Sequence, residues 1–211
     1  MTVYISADAK NLREELASLR NQGGYEEQQF YFDGLVTNGT FDADTNWTKG
    51  TGWTISGGVA TKTAGTQANL TQSSGLTIGK AYMVTFTITA YTAGNFIPYL
   101  GSTGAGTART STGTFSEVIV CAGTSDTIIV ANSAASGSVD NVSVFEVDAS
   151  NDVVHRMPKG WVPKDVFEDG LLQREGAAND YEVVYDGFDY YVKPAVAPSA
   201  TTQTCVIGVR K

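Results

Sequence analysis

From Tyr82 to Tyr91 the chain reads Tyr-Met-Val-Thr-Phe-Thr-Ile-Thr-Ala-Tyr, an alternation that suits a β-strand and no helix. With a period of two, Tyr82, Val84, Phe86, Ile88 and Ala90 share one face, and Thr85, Thr87 and Thr89 share the other. One face is apolar and the other hydroxylated, so the strand covers a core on one side and meets water on the other. Further strands are expected at 95–100, 113–122, 126–132 and 139–147, separated by Gly, Ser and Thr clusters. Gly52 to Lys62, with Gly57-Gly58 in the middle, predicts a hairpin. Short strands at this spacing indicate a β-sandwich. Internal periodicity is too weak for a propeller or solenoid.

The remaining chain divides around that sandwich. In residues 1–33, Ser6 can cap a helix running from Ala7 to Arg20, and Gly23-Gly24 stops it. Ile5, Ala9, Leu12, Leu16 and Leu19 recur at spacings of 4, 3, 4 and 3, a narrow coiled-coil-like seam. Two heptads are too few to stand alone in water. The helix therefore packs on its own domain or against other copies or proteins. Phe30-Tyr31-Phe32 follows as an extended arm or first strand. A jelly-roll candidate spans 34–148, a linker with Pro158, Gly160 and Pro163 spans 149–164, and a small β-module spans 165–211. In that module Asp169-Gly170 and Asp186-Gly187 predict two tight turns. A piece of about 50 residues with four or five strands is marginal by itself and leans on a neighbour.

Charge and cysteine usage narrow the function classes. At 211 residues the formal net charge is −8 and no basic run occurs, which argues against a groove that tracks nucleic-acid phosphates. The acidic balance suits solubility or docking on a basic protein surface. Cys121 and Cys205 are the only cysteines, each inside an apolar alternating run. They read as small buried hydrophobes, giving neither a disulfide framework nor a metal cluster. The first residues lack the features of a signal peptide, and no stretch reaches transmembrane length. The expected setting for synthesis and folding is a reducing cytosol.

Catalytic equipment is sparse. Sugar hydrolysis needs two carboxylates facing across a cleft. The sandwich offers Asp42, Asp44, Glu117, Asp126, Asp140 and Glu146, with no pair in opposed environments. His155 is the only histidine, and no nucleophile-elbow motif accompanies it. The expectation is a protein that is not an enzyme. Sugar binding needs exposed aromatic platforms beside amides. Trp47, in a polar loop, is read as an exposed platform or an interface anchor. Tyr91 and Tyr99 are further platforms, with Asn95 and Gln67 as polar companions, and Trp53 is read as core.

Two resemblances add to this reading. Asn38-Gly39-Thr40-Phe41-Asp42 and Val139-Asp140-Asn141-Val142-Ser143-Val144 resemble the opening and closing motifs of family 4/9-type carbohydrate-binding modules. That resemblance implies a jelly roll whose first and last strands meet, with a structural calcium held by Asp42 and Asp140. The alternative for Asp140 is a turn cap or an acceptor of backbone hydrogen bonds. Asn38–Asp42, Asn46-Trp47 and Gly52–Ala60 together are also similar to modules of tailed-bacteriophage structural proteins. So is Val166-Phe167-Glu168-Asp169-Gly170-Leu171-Leu172-Gln173, followed by Asp180-Tyr181, which is similar to a small β-module of phage fibre and decoration proteins.

The phage resemblance implies a virion structural protein of capsid-decoration or head-fibre type, with other virion proteins as partners. It also implies a homo-oligomer, a trimer being favoured, with Leu12, Leu16, Leu19, Phe30, Tyr31 and Phe32 at contacts. The alternative is a tail-fibre or receptor-binding component whose jelly roll recognises host glycans. A free-standing bacterial carbohydrate-binding module is a third reading, disfavoured by the missing signal peptide.

Overall fold

The computed structural model describes residues 26–32, 34–148, 150, 152–176, 179–199 and 201–210. Among these the chain is all β. The helix expected over 7–20, with Leu12, Leu16 and Leu19, lies outside the described residues. The strands in chain order begin with β1 (Glu26–Phe32), β2 (Thr48–Lys49), β3 (Trp53–Ser56), β4 (Val59–Lys62), β5 (Ala68–Ser73) and β6 (Ala81–Ala93). They continue with β7 (Phe96–Leu100), β8 (Gly104–Ala105), β9 (Gly113–Val120), β10 (Asp126–Ala131), β11 (Ser136–Glu146) and β12 (His155–Arg156). The last are β13 (Val162–Glu168), β14 (Leu171–Leu172), β15 (Tyr181–Tyr185), β16 (Tyr190–Pro194) and β17 (Thr204–Arg210).

Two compact units result. The larger draws on 33–155 and 193–202. It holds two five-stranded antiparallel sheets, ordered β2-β5-β10-β7-β8 and β3-β4-β11-β6-β9. The inward faces of both sheets share one core. Phe86, Ile88 and Val139 meet Leu70, Phe96 and Ile129 there, which makes the pair a sandwich. The alternation of β6 sets its face, since Tyr82, Val84, Phe86 and Ile88 are all buried. Each such side chain removed from water is worth roughly 1.5–3 kcal/mol. Gly57 and Gly58, at φ +62° and +75°, close the β3–β4 hairpin in a left-handed turn that side chains disfavour.

The alternation of β6 does not run to its end. Ser138 pairs with Ala90, but the next residue, Val139, pairs with Ile88, leaving Thr89 as an extra residue in β6. A bulge of this kind flips the faces beyond it. Ala90 is therefore exposed, and Tyr91 packs against the core in the place alternation assigns to Ala90. The loop over 101–112 is also more structured than its composition suggests. It contains β8, and Glu117 on β9 clasps it by accepting from the Thr107 amide at 2.9–3.0 Å and from Arg109 at 3.0 Å.

The smaller unit draws on β1, on 156–192 and on β17. It contains a four-stranded sheet, β1-β17-β13-β14, and a three-stranded one, β12-β16-β15. Met157, Trp161, Val166, Tyr181, Val192 and Val206 form its core. The arm is thus a strand of this unit, in register with β17 from Glu26↔Arg210 to Phe32↔Thr204. The stretch 149–164 contributes β12 and the first residues of β13. Asp169 and Gly170, at φ +49° and +81°, make the predicted Asp-Gly turn between β13 and β14.

Candidate functional site

The opening and closing motifs of the sandwich form one bracket. The Val142 amide donates to the Gly39 carbonyl at 2.9 Å, and the Leu35 amide donates to the Val144 carbonyl at 2.9 Å. The approach at Gly39 is so close that a Cβ there would lie 1.9 Å from the Val142 oxygen. Asn38, Phe41 and Asn141 adopt left-handed backbone, at φ +53°, +53° and +52°. Asparagine tolerates that region; phenylalanine there is strained and is held by its surroundings. The holding contacts are visible. Phe41 is buried, its ring centroid is 5.4 Å from that of Trp47, and Asn38 Nδ2 donates to the carbonyls of Ala43 and Thr45 at 2.7 and 3.0 Å.

At this bracket Asp140 lies within range of the charge of Asp42. Burial raises the pKa of Asp140, the Asn141 amide opposes it by donating to Oδ1 at 2.6 Å, and the nearby charge of Asp42 raises it further. Asp42 itself is exposed and accepts from Thr40 Oγ1 at 2.6 Å. Among the described residues no group of three or more His, Cys, Asp or Glu is placed to hold a metal.

The expected sugar platforms do not converge. Trp47 is only 7% exposed, and its Nε1–H donates to the Asn38 carbonyl at 3.0 Å. The polar loop around it covers the ring, so its face is not available for stacking, and the reading of Trp47 as exposed is corrected. Tyr91 is turned inward by the β6 bulge, with its hydroxyl donating to the Gly94 carbonyl at 2.9 Å. Asn95 buries its side-chain oxygen, which meets no donor among the described residues. Tyr99 alternates with buried Pro98 and Leu100 and so lies on the outer face of the β2-β5-β10-β7-β8 sheet. Trp53, read as core, is buried and donates to the Ala68 carbonyl at 3.2 Å.

That outer face carries a feature which sequence reasoning passes over. Thr48, Thr71, Ile128 and Tyr99 stand in one cross-strand row over β2, β5, β10 and β7. At the β2–β5 end of the row, Thr48, Gln67, Asn69 and Thr71 line a groove of about 530 Å3. Its one lining cation, Lys49, is engaged by Asp44. The groove therefore presents neutral hydroxyls and amides. Gln67 was visible as a polar companion in the sequence, whereas Thr48, Asn69 and Thr71 look like ordinary solvent-facing strand residues.

In the smaller unit Phe30 stacks edge-on against Trp161 with centroids 4.9 Å apart. Tyr31 and Phe32 pair with Cys205 and Thr204 through the backbone. His155, in the larger unit, is buried against Phe145, and burial lowers its pKa to about 4. A histidine held neutral in an apolar setting matches a packing role.

No family model matches the chain. No curated protein matches it either. Among solved structures it is similar to the enzymatically active domain of tailspike protein 4 of bacteriophage CBA120, at 18% identity and a TM-score of 0.39. That similarity covers 54% of this chain and 21% of the other, about a fifth of its length.

Proposed function

We propose that this chain is a virion structural protein of a tailed bacteriophage, of capsid-decoration or head-fibre type. It acts by non-covalent attachment and self-association and performs no catalysis. Its partners are other virion proteins and further copies of itself. The sandwich is a jelly roll of the carbohydrate-binding-module kind, kept as a building block.

One observation carries this reading. The phage-module residues from Val166 to Gln173, with Asp180-Tyr181, fold as a single clasp. The Gln173 amide donates to the Val166 carbonyl at 2.8 Å, and the Arg174 amide donates to Asp180 Oδ2 at 2.9 Å. Residues that carry the resemblance are thus the ones that make the local fold. The test is a density gradient of purified particles followed by quantitative mass spectrometry. The chain should band with the particles in a fixed ratio to the major capsid protein; recovery only in the soluble fraction overturns the proposal.

A second reading rests on the outer-face groove. Neutral amides and hydroxyls in the groove, with the half-buried Tyr99 two strands away in the same row, suit a neutral glycan, as a receptor-binding component of a tail fibre needs. Glycan-array binding lost in Asn69→Ala and Tyr99→Ala, with unchanged unfolding, supports it. No binding by the parent protein removes it.

Calcium fits the bracket chemically. Asp140, whose pKa is raised by burial and by the nearby charge of Asp42, is the kind of carboxylate that a hard, oxygen-ligated cation would stabilise in its charged form. Asp42 and Asp140 would hold it, and it would supply charge neutralisation between the opening loop and β11. A melting temperature raised by calcium in the parent, but not in Asp140→Asn, supports this. Equal melting in calcium and in chelator overturns it.

A further inference from the structure

We propose that β1 is an exchangeable strand: in the assembled protein it completes the smaller unit of a second copy, docking along β17 and seating Phe30 in that copy's aromatic socket. The inference deepens the self-association part of the reading above and is independent of any glycan or calcium.

The acceptor is built by the rest of the smaller unit. β17 is flanked on one side by β13 and on the other by β1 alone. Without β1, its outer edge would present a row of unpaired backbone donors and acceptors, the kind of edge that recruits another strand. Seven residue pairs, from Glu26↔Arg210 to Phe32↔Thr204, satisfy that edge. Beside it stands a socket for one aromatic ring. Trp161 and Met157 are buried, and Arg210 lies over the Trp161 ring at 5.0 Å. Gly208 leaves the necessary room, since a Cβ there would come within 2.7 Å of Phe30 and 2.8 Å of Met157. The edge reads an extended backbone and the socket reads a phenylalanine. Among the described strands, β1 satisfies both.

Two features favour a second copy as its source. First, β1 ends at Phe32, and the Leu35 amide already belongs to the larger unit through its bond to Val144. Only residues 33 and 34 join the two, and short hinges invite exchange between copies. Second, Leu12, Leu16 and Leu19, which precede β1 and lie outside the described residues, have in the sequence the spacing of a seam too short to be stable unaided. Pairing of that stretch between copies would gather the β1 strands and raise their effective concentration at neighbouring acceptors. Exchange preserves every β1 contact, so it adds no cost in packing.

The register supplies the test. Tyr31 lies directly opposite Cys205. Cα atoms of opposite residues in antiparallel strands are about 4.5–5.5 Å apart, within disulfide range. Tyr31→Cys in the full chain, with Cys121→Ser to remove the other thiol, is oxidised with diamide at micromolar protein. The products are then resolved by non-reducing electrophoresis and intact mass. The proposal expects chains linked through residues 31 and 205 of different copies, doubling the mass or giving higher multiples. A disulfide confined to single chains overturns exchange; light scattering on that same sample then tells whether self-association itself survives. No disulfide at all overturns the docking register. Gln29→Cys with Ile207→Cys, another opposite pair, gives the same readout should Tyr31→Cys fold poorly.

Discussion

Replacing Trp47 separates a fold-building bracket from a ligand platform. The indole is 7% exposed, lies 5.4 Å from Phe41 between ring centroids, and donates from Nε1 to the Asn38 carbonyl at 3.0 Å. Removing a buried tryptophan side chain costs about 3–5 kcal/mol through lost burial and the cavity left behind. Trp47→Phe keeps much of the ring contact but loses the hydrogen bond, for about 1–2 kcal/mol. Urea unfolding followed by far-ultraviolet circular dichroism reads both. With a slope of about 1–3 kcal/mol per molar, Trp47→Ala should lower the midpoint by at least ~1 M at unchanged slope. Trp47→Phe should fall between it and the parent. A Trp47→Ala protein within about 0.5 kcal/mol of the parent would behave as a surface substitution and refute the reasoning.

Other outcomes follow from named contacts. His155 is held neutral in the fold, with its pKa lowered from 6.5 to about 4. Its contribution is full above pH 6.5 and is lost as pH falls toward 4, a gap of roughly 3 kcal/mol. His155→Leu should flatten that part of the stability-versus-pH curve, and an unchanged slope there would contradict the burial argument. Gly39→Ala drives a Cβ to 1.9 Å from the Val142 oxygen, so it should push the opening turn away from β11 and lower the melting temperature markedly. Parent-like melting would show that the opening turn does not meet β11. Glu117→Ala removes the acceptor for Thr107 and Arg109 and should speed hydrogen exchange over 103–109, while leaving β6 protected.

Much of the fold was legible because alternation and turn chemistry are local. The strand face of Tyr82, Val84, Phe86 and Ile88, the Gly57-Gly58 hairpin and the Asp169-Gly170 turn all appear where the residues place them. The errors arise from long-range pairing. The extra residue at Thr89 is defined by its mismatch with β11, more than forty residues away, and it alone turns Tyr91 inward. Trp47 looked exposed because its neighbours are polar, yet those neighbours are the bracket that buries it. The arm's partner, β17, lies at the opposite end of the sequence, so no local pattern could name it. The outer-face groove was invisible for the same reason, being an alignment of Thr48 and Thr71 across strands.

The bracket builds a fold, and the proposed work of the chain is attachment to a virion. Cryo-electron microscopy of phage particles carrying a labelled copy of this chain tests that most directly. Label density projecting from capsid sites in symmetric groups is the predicted result. Density confined to the tail would contradict the decoration reading, and particles without label density would contradict the virion assignment itself.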